Sequence, residues 1–258
     1  MHALVNIALR AARDAASAIA HSSDRLDRIN ILNDDASQFL TSMDVDADKT
    51  LLYHIAKAYP EHGIHSRVSG EQPGEDKSTV WLLDPLVGNR NFAAGYTQFA
   101  VSIACQVNGK LEHAVIINPV TGEEFIASRG GGAQLNSRRI RVGNKTELEH
   151  CFVALDSDNL PSDSVNTLQQ SLFAEQARIR ITGCATLDML AVAAGRVDGG
   201  YAGSYDHLEN GAAALILQEA GGFIGDHQGS PDVRSAARLV YGGQKVFQAL
   251  LKLQNRGK

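Results

Sequence analysis

Residues 99–107 and 111–117 are two β-rich runs that meet at Asn108-Gly109, and few features of this chain restrict its fold more. An Asn-Gly pair takes the left-handed backbone that a two-residue hairpin turn demands, so the two runs pair antiparallel. A third run, 124–128, follows the turn at 118–122 and extends the same sheet. Upstream, 80–83 is a short apolar run ending in Asp84-Pro85. Downstream, Gly130-Gly131-Gly132 predicts a loop and 133–142 an edge hairpin.

Helices lead into these strands. Residues 1–20 repeat Leu, Ile and Ala at helical spacing, interrupted by Arg10, Arg13 and Asp14, which reads as an amphipathic helix rather than a signal peptide. A polar stretch, 22–37, separates it from a second helical pattern over 46–58 that stops at Tyr59-Pro60, where proline disfavours helix in its predecessor. Beyond residue 150 the elements alternate. Strands are expected near 151–155, 178–181 and 197–201, with helices at 164–174 and 186–194 between them. An apolar helix over 209–220 then stops at Gly221-Gly222, and strands at 223–224 and 239–241 and a helix at 244–253 follow. The class is α+β. The expected organisation is two halves of one compact unit, 1–145 with the Asp84 loop and 146–258 with the Glu209 helix.

Charge and cysteine usage narrow the function. A formal net charge of −5 argues against a dedicated binder of DNA or of anionic membranes. No run approaches the roughly 18 apolar residues that span a bilayer. Cys105, Cys151 and Cys184 sit among apolar residues without ligand spacing and read as free thiols of a reducing cytoplasm, the alternative being a nucleophile or a metal ligand.

Three segments gather the chemistry. Residues 81–92 put Asp84 at a strand end and then open a glycine turn, at Gly88, toward a helix start, where backbone N–H groups point at an anion. Residues 183–188 and 193–199 bring Asp188 and Asp198. Glu209 opens an apolar helix that ends in Glu219-Ala220-Gly221-Gly222.

In these segments, and over essentially its whole length, the chain resembles the inositol monophosphatase family, most closely its bacterial extragenic-suppressor branch. The first family motif reads Asp-Pro-(Ile/Leu)-Asp-Gly-Thr-x-Asn-Phe, matched by Asp84 to Phe92. The second reads Trp-Asp, small residues and Glu-Ala-Gly-Gly, matched from Leu208-Glu209 to Gly222. The resemblance implies a layered αβαβα sandwich, a homodimer, and hydrolysis of phosphate monoesters such as inositol phosphate with Mg²⁺.

Carried over residue by residue, the resemblance implies an altered metal centre. Mg²⁺ wants carboxylates, carbonyls and water around it. Asp84 stands at the family's metal-bridging Asp and Leu86 keeps a backbone carbonyl, but Val87 stands at the next acidic ligand. The upstream acidic doublet, whose Glu holds a metal and orients the attacking water, falls on Arg67-Val68. The Thr that helps activate the nucleophile falls at Asn89, the Trp-Asp pair at Leu208-Glu209, and the Glu that contacts the inositol hydroxyls at Ala202. The early loop Lys falls near Asp34, while Asp44, after Thr41, keeps an acidic position farther out. Three carboxylates and one arginine thus stand where the family brings four carboxylates.

Arg67 is therefore expected to pair with Asp84, Glu209 or both, its guanidinium taking the place of a cation. No catalytic residue is assigned, Arg67, Val87 and Asn89 being the degenerate positions. The residual metal candidates are Asp84, Leu86, Glu209 and Asp44, with Glu71 added if the 67–74 loop is displaced by four residues. Gly88, Asn89, Arg90 and Arg67 are the candidate anion-binding set; the alternative is that Gly88 only permits the turn and Arg90 is solvated.

The remaining polar residues have plainer readings. None of the nine histidines shows a ligand spacing, and His207 draws interest only by its closeness to Glu209. Asp188 and Asp198 are expected to fix loops and helix ends. The basic run Arg138, Arg139, Arg141 and Lys145 suits a solvated hairpin face or a partner or RNA contact. Arg178 and Arg180 share one strand face.

Three functions follow. The leading one is a family member without ordinary metal-dependent activity and with no cofactor, retained as a regulatory or binding protein; the branch it resembles implies a transcription-elongation partner in antitermination. The second is a Mg²⁺-dependent inositol or sugar phosphate monoesterase that uses Asp44, Glu71, Asp84 and Glu209. The third is a sensor that binds a phosphate-bearing small molecule without hydrolysing it.

Overall fold

The computed structural model describes residues 2–35 and 38–255. Met1, at the start of the first expected helix, and Ser37, at the end of the expected polar stretch, lie outside the described residues. The chain divides into two units, Met1–Arg129 and Gly130–Lys258.

The first unit opens with α1 (Ala3–Ser23), a 3-10 turn (Leu26–Arg28), β1 (Ile31–Asn33), β2 (Leu40–Thr41) and α2 (Ser42–Ala58). It continues through β3 (His62–Ser66), β4 (Gly70–Gln72), β5 (Asp76–Val87), α3 (Asn89–Ala93), β6 (Ala100–Val107), β7 (Lys110–Ile117) and β8 (Glu124–Ser128). The main strands lie in the order β8-β7-β6-β5-β3-β4, antiparallel except for the parallel pair β3 and β5.

Asn108 and Gly109 both take positive φ, 50° and 75°, and close the β6–β7 hairpin as their residue types demand. On α1 the small and branched residues Val5, Ala8, Leu9, Ala12, Ala15, Ala16 and Ile19 recur at three- and four-residue steps and are all buried. With Ala47, Leu51 and Ile55 of α2 they pack on Trp81, Leu83, Val101, Ile103 and Val115, residues of alternate parity and hence of one sheet face. Each such Leu, Ile or Val contributes about 1.5–3 kcal/mol when fully buried. Arg13 of α1 grips Glu124 of β8 with two bonds, 2.6 and 2.7 Å.

Several boundaries differ from the sequence expectation for local reasons. Helix α2 begins at Ser42 rather than near residue 46, because Thr41 and Asp44 form a reciprocal capping box. Within the polar stretch before it, β1 forms a short ladder with β2, Ile31 opposite Thr41. The expected loop around Glu71 is instead the edge strand β4, with Glu71 opposite His65. Strand β5 is far longer than 80–83, and its ladder with β6 is interrupted between Asp84 and Val87, where Pro85 has no N–H to donate.

The second unit holds the hairpin β9 (Gly132–Leu135) and β10 (Arg138–Arg139), then β11 (Phe152–Leu155), α4 (Ser162–Ala174), β12 (Arg178–Arg180), α5 (Ala185–Ala193) and β13 (Gly199–Ala202). After these come α6 (Gly211–Glu219), β14 (Phe223–Asp226), β15 (Leu239–Gly242) and α7 (Gln244–Asn255). The sheet order is β12-β11-β13-β15-β14. The first three strands are parallel and so require the crossover helices α4 and α5; the last two join antiparallel.

Parity assigns the two faces of this sheet. Val153, Leu155, Tyr201 and Val240 meet the apolar stripes of α4 and α7, including Leu168, Leu172, Val246 and Leu250. The opposite face, with Ala154, Gly200 and Tyr241, is covered by α5. All three cysteines are buried free thiols.

Candidate functional site

The parallel register of β3 and β5 sets Ser66 opposite Leu83. The next residue on each strand is therefore brought alongside: Arg67 and Asp84. The Arg67 N–H donates to the Leu83 carbonyl at 3.0 Å, and its side-chain Nε donates to Asp84 Oδ2 at 2.5 Å. The Asp84 side chain is only 3% exposed, the Arg67 side chain 37%. Burial pushes the Asp84 carboxyl up from the usual range; the Arg67 charge and hydrogen bond pull against it, and the Asp44 charge adds to the rise.

Ser66 fixes the turn that carries Arg67. Its Oγ donates to Asp48 Oδ1 at 2.5 Å and accepts the Val68 N–H at 3.1 Å. Asp48 lies one helical turn after Asp44 on α2, and both are 3% exposed. Sequence reading missed Asp48, although its i, i+4 spacing from Asp44 is visible in the chain.

Asp44 is the centre of a second knot. Its Oδ2 accepts the Thr41 N–H at 2.8 Å and the Thr41 hydroxyl at 2.5 Å, and its Oδ1 accepts Asn89 Nδ2 at 2.9 Å. Burial raises the Asp44 carboxyl, and these donors oppose the rise. Asn89 Nδ2 also donates to the Phe39 carbonyl at 2.8 Å. Gly88, at φ 76°, supplies the left-handed residue that opens the short helix α3. Arg90 donates to the Asp35 carbonyl at 2.9 Å and lies over the Phe39 ring, its guanidinium carbon 4.4 Å from the centroid. The candidate anion-binding side chains Asn89, Arg90 and Arg67 thus each hold a protein partner.

The other first-unit candidates lie as follows. Leu86 and Val87 are buried, at 2% and 3% exposure, with Val87 opposite Ala100. Glu71 is 79% exposed and its carboxylate lies 3.8 Å from His65 Nδ1. Asp34 is exposed.

In the second unit, Glu209 stands in the turn just before α6 rather than in its first turn. Asp206 Oδ1 accepts the N–H groups of Leu208 and Glu209, at 2.8 and 3.1 Å, and Thr186 Oγ1 donates to the Glu209 carbonyl at 2.7 Å. Ala202 is buried at the end of β13, and His207 is exposed. Glu219 accepts the N–H groups of Gly130 and Gly132, both at 2.8 Å, and so shapes the triple-glycine loop. Asp198 Oδ2 accepts the Phe152 N–H at 2.8 Å, and Asp188 Oδ1 accepts the Thr182 hydroxyl at 2.9 Å, so both aspartates fix backbone or loop. Arg178 and Arg180 share a face over the Phe152 ring. Among the described residues, no group of three or more His, Cys, Asp or Glu side chains is placed to hold one metal ion.

A sequence profile of the inositol monophosphatase family matches residues 1–256. The chain belongs to the inositol monophosphatase family. It is 42% identical to Nus factor SuhB of Pseudomonas aeruginosa, over 97% of this chain and 95% of the relative. To Nus factor SuhB of Escherichia coli it is 36% identical, over 97% and 95%. Among solved structures, the extragenic suppressor protein SuhB of Bartonella henselae matches it with a TM-score of 0.95 at 32% identity, covering 100% of both chains. The inositol monophosphatase of Thermotoga maritima shares the fold, with a TM-score of 0.89 over 99% of this chain and 98% of that one at 24% identity.

The α+β class and the inositol monophosphatase type of fold expected from the motifs are therefore those observed, and the suppressor branch is the one the relatives represent. Within this family member the first motif runs from the end of β5 through Gly88 into α3, and the second from the Leu208-Glu209 turn through α6. Among the described residues, no helix is long and apolar enough to cross a membrane.

Proposed function

We propose that this inositol monophosphatase family member acts as a regulatory or binding protein in transcription, as a homodimer in the cytoplasm, and that its Mg²⁺-phosphatase centre is degraded. The observation that carries the reading is the Arg67–Asp84 pair, 2.5 Å apart, at the positions where the resemblance puts a metal-holding Glu and the metal-bridging Asp. A guanidinium in contact with the bridging carboxylate competes with Mg²⁺ for the same lone pairs. At 4 Å and an effective dielectric of about 20, two like unit charges repel by about 4 kcal/mol, and Mg²⁺ carries two. The Val87 side chain brings no lone pair to the next ligand position, and Glu71 lies beside His65. The donor set does not suit Mg²⁺. The transcription role is supported by relatives that carry the name Nus factor and that match nearly their whole length.

The experiment is a calorimetric titration of Mg²⁺ into purified, metal-free protein, beside affinity capture of transcription-elongation proteins. No heat up to millimolar Mg²⁺, with specific capture of an elongation component, is the expected pair of results. Saturable Mg²⁺ binding abolished by Asp84→Asn would overturn the degraded-centre reading and restore the phosphate monoesterase. Ligand-dependent thermal stabilisation by a phosphate ester, without turnover and without capture, would favour a small-molecule sensor instead.

A further inference from the structure

A buried carboxyl in the second unit has only half of its hydrogen bonding met. Asp188 lies in the first turn of α5, on the side that faces the sheet, and is 4% exposed. Its Oδ1 accepts the Thr182 hydroxyl at 2.9 Å, and the same hydroxyl oxygen accepts the Cys184 N–H at 3.3 Å. A relay thus runs from the backbone at the start of α5, through Thr182, to Asp188. Its Oδ2 is buried and has no hydrogen-bond partner among the described residues. On the same sheet face the Tyr241 hydroxyl is likewise buried without a hydrogen-bond partner among the described residues, above Gly200, where a Cβ would lie 2.6 Å from the Tyr241 oxygen.

We propose that Asp188 is a proton-linked anchor of the α5 start: neutral, it lies against the sheet with no charge to solvate; ionised, its unpartnered Oδ2 and the Asp156 charge drive the start of α5 off the sheet, against the pull of the Thr182 hydroxyl. The groups around it offer the anion little. From the α5 start comes the Cys184 thiol, from β15 the Tyr241 hydroxyl, and from the end of β11 the Asp156 carboxylate, itself bonded to Asn159 and to the Gly203 N–H. Helix α6, packed against α5, is buried through apolar residues such as Ala212, Leu215 and Ile216. Desolvation, reinforced by the Asp156 charge and opposed by the Thr182 bond, pushes the carboxyl up to about 7, so the switch falls in the neutral range. Gly183, at φ 69°, sits in the anchored turn, beyond which Cys184 caps α5.

The test is site-resolved alkylation of Cys184 in the full-length protein, read by peptide mass spectrometry from pH 6 to 8.5. Each rate is divided by the rate for the denatured chain at the same pH, which removes the intrinsic thiolate dependence. Protection of Cys184 is expected to fall at least tenfold across neutrality in the wild type and to stay flat in Asp188→Asn. Thr182→Val, which removes the hydroxyl that donates to Asp188, is expected to move the midpoint to higher pH. Infrared titration of the protonated-carboxyl band follows buried carboxyl protons directly, and the difference between wild type and Asp188→Asn assigns the Asp188 band among those of Asp44 and Asp84. Equal protection profiles in wild type and Asp188→Asn, a midpoint unmoved by Thr182→Val, or absence of a protonated carboxyl near neutral pH would each overturn the proposal.

Discussion

Arg67 and Asp84 pair because β3 and β5 run parallel in a register that puts the residue after Ser66 beside the residue after Leu83. The pair joins a half-exposed cation to a buried anion. Its value to folding lies mainly in what its loss leaves behind, since a buried carboxylate without its partner keeps the full desolvation penalty. Arg67→Ala is expected to lower stability by about 2 kcal/mol, and Arg67→Glu by at least as much in metal-free solution. Arg67→Glu is also expected to gain Mg²⁺ affinity, as heat in a calorimetric titration and as a rise in Tm with millimolar Mg²⁺. A variant that neither loses stability nor responds to Mg²⁺ would contradict the part assigned to Arg67.

Thr41 caps α2 with both its backbone and its hydroxyl, and it is fully buried. Thr41→Ala removes the hydroxyl from Asp44 and leaves the Asp44 N–H without its acceptor. The expected cost is about 1–2 kcal/mol, a fall in Tm of roughly 2–8 °C for a chain of this size. Thr41→Ser keeps the hydroxyl and is expected to lose less than half as much in the same thermal melt.

These two sites mark how far the sequence could be read. The strands around Asn108-Gly109, the glycine stop after α6 and the motif positions at Asp84 and Glu209 were legible, because each depends on local backbone demands or on contiguous residues. The early start of α2 was also written in the chain, as Thr41 followed three residues later by Asp44, but with Asp in place of the usual Glu or Gln of a capping box. The Ser66–Asp48 bond and the double grip of Asn89 on Asp44 and Phe39 were not legible, since they join residues 18 to 50 positions apart and depend on sheet register. Strand β4 was hidden for a similar reason. Its three residues, Gly70–Gln72, carry no strand pattern of their own and are held by the ladder to β3.

The Asp44 carboxyl gives the unit a distinct pH response. Its ionisation lies above the ordinary value of 3.8 in the folded chain, because burial outweighs its hydrogen bonds. A raised folded value means the native state holds the proton more tightly than the unfolded chain. The corresponding stability is fully present below the unfolded value and is lost as pH rises through the folded one. In chemical denaturation between pH 4 and 7, Asp44→Asn is expected to show a shallower decline with rising pH than the wild type. A steeper decline in the variant would show that its hydrogen bonds, rather than burial, dominate this carboxyl.

Glu219 begins the Glu-Ala-Gly-Gly end of the second family motif and holds the triple-glycine loop by one carboxylate, each oxygen taking one backbone N–H at 2.8 Å. Gly130 and Gly132 both have positive φ, 71° and 83°, so this loop takes a shape that side chains other than glycine disfavour. Hydrogen bonds to a charged acceptor contribute about 1.5–3 kcal/mol each, and with two of them the loop should open far less often than its exposed surroundings. Glu219→Gln keeps one acceptor oxygen and Glu219→Ala keeps none. Hydrogen exchange at the Gly130 and Gly132 amides is therefore expected to speed up about tenfold or more in Glu219→Ala, and at only one of the two amides in Glu219→Gln. Equal exchange at both glycines in all three proteins would mean that the loop is held by its neighbours in the chain and not by Glu219.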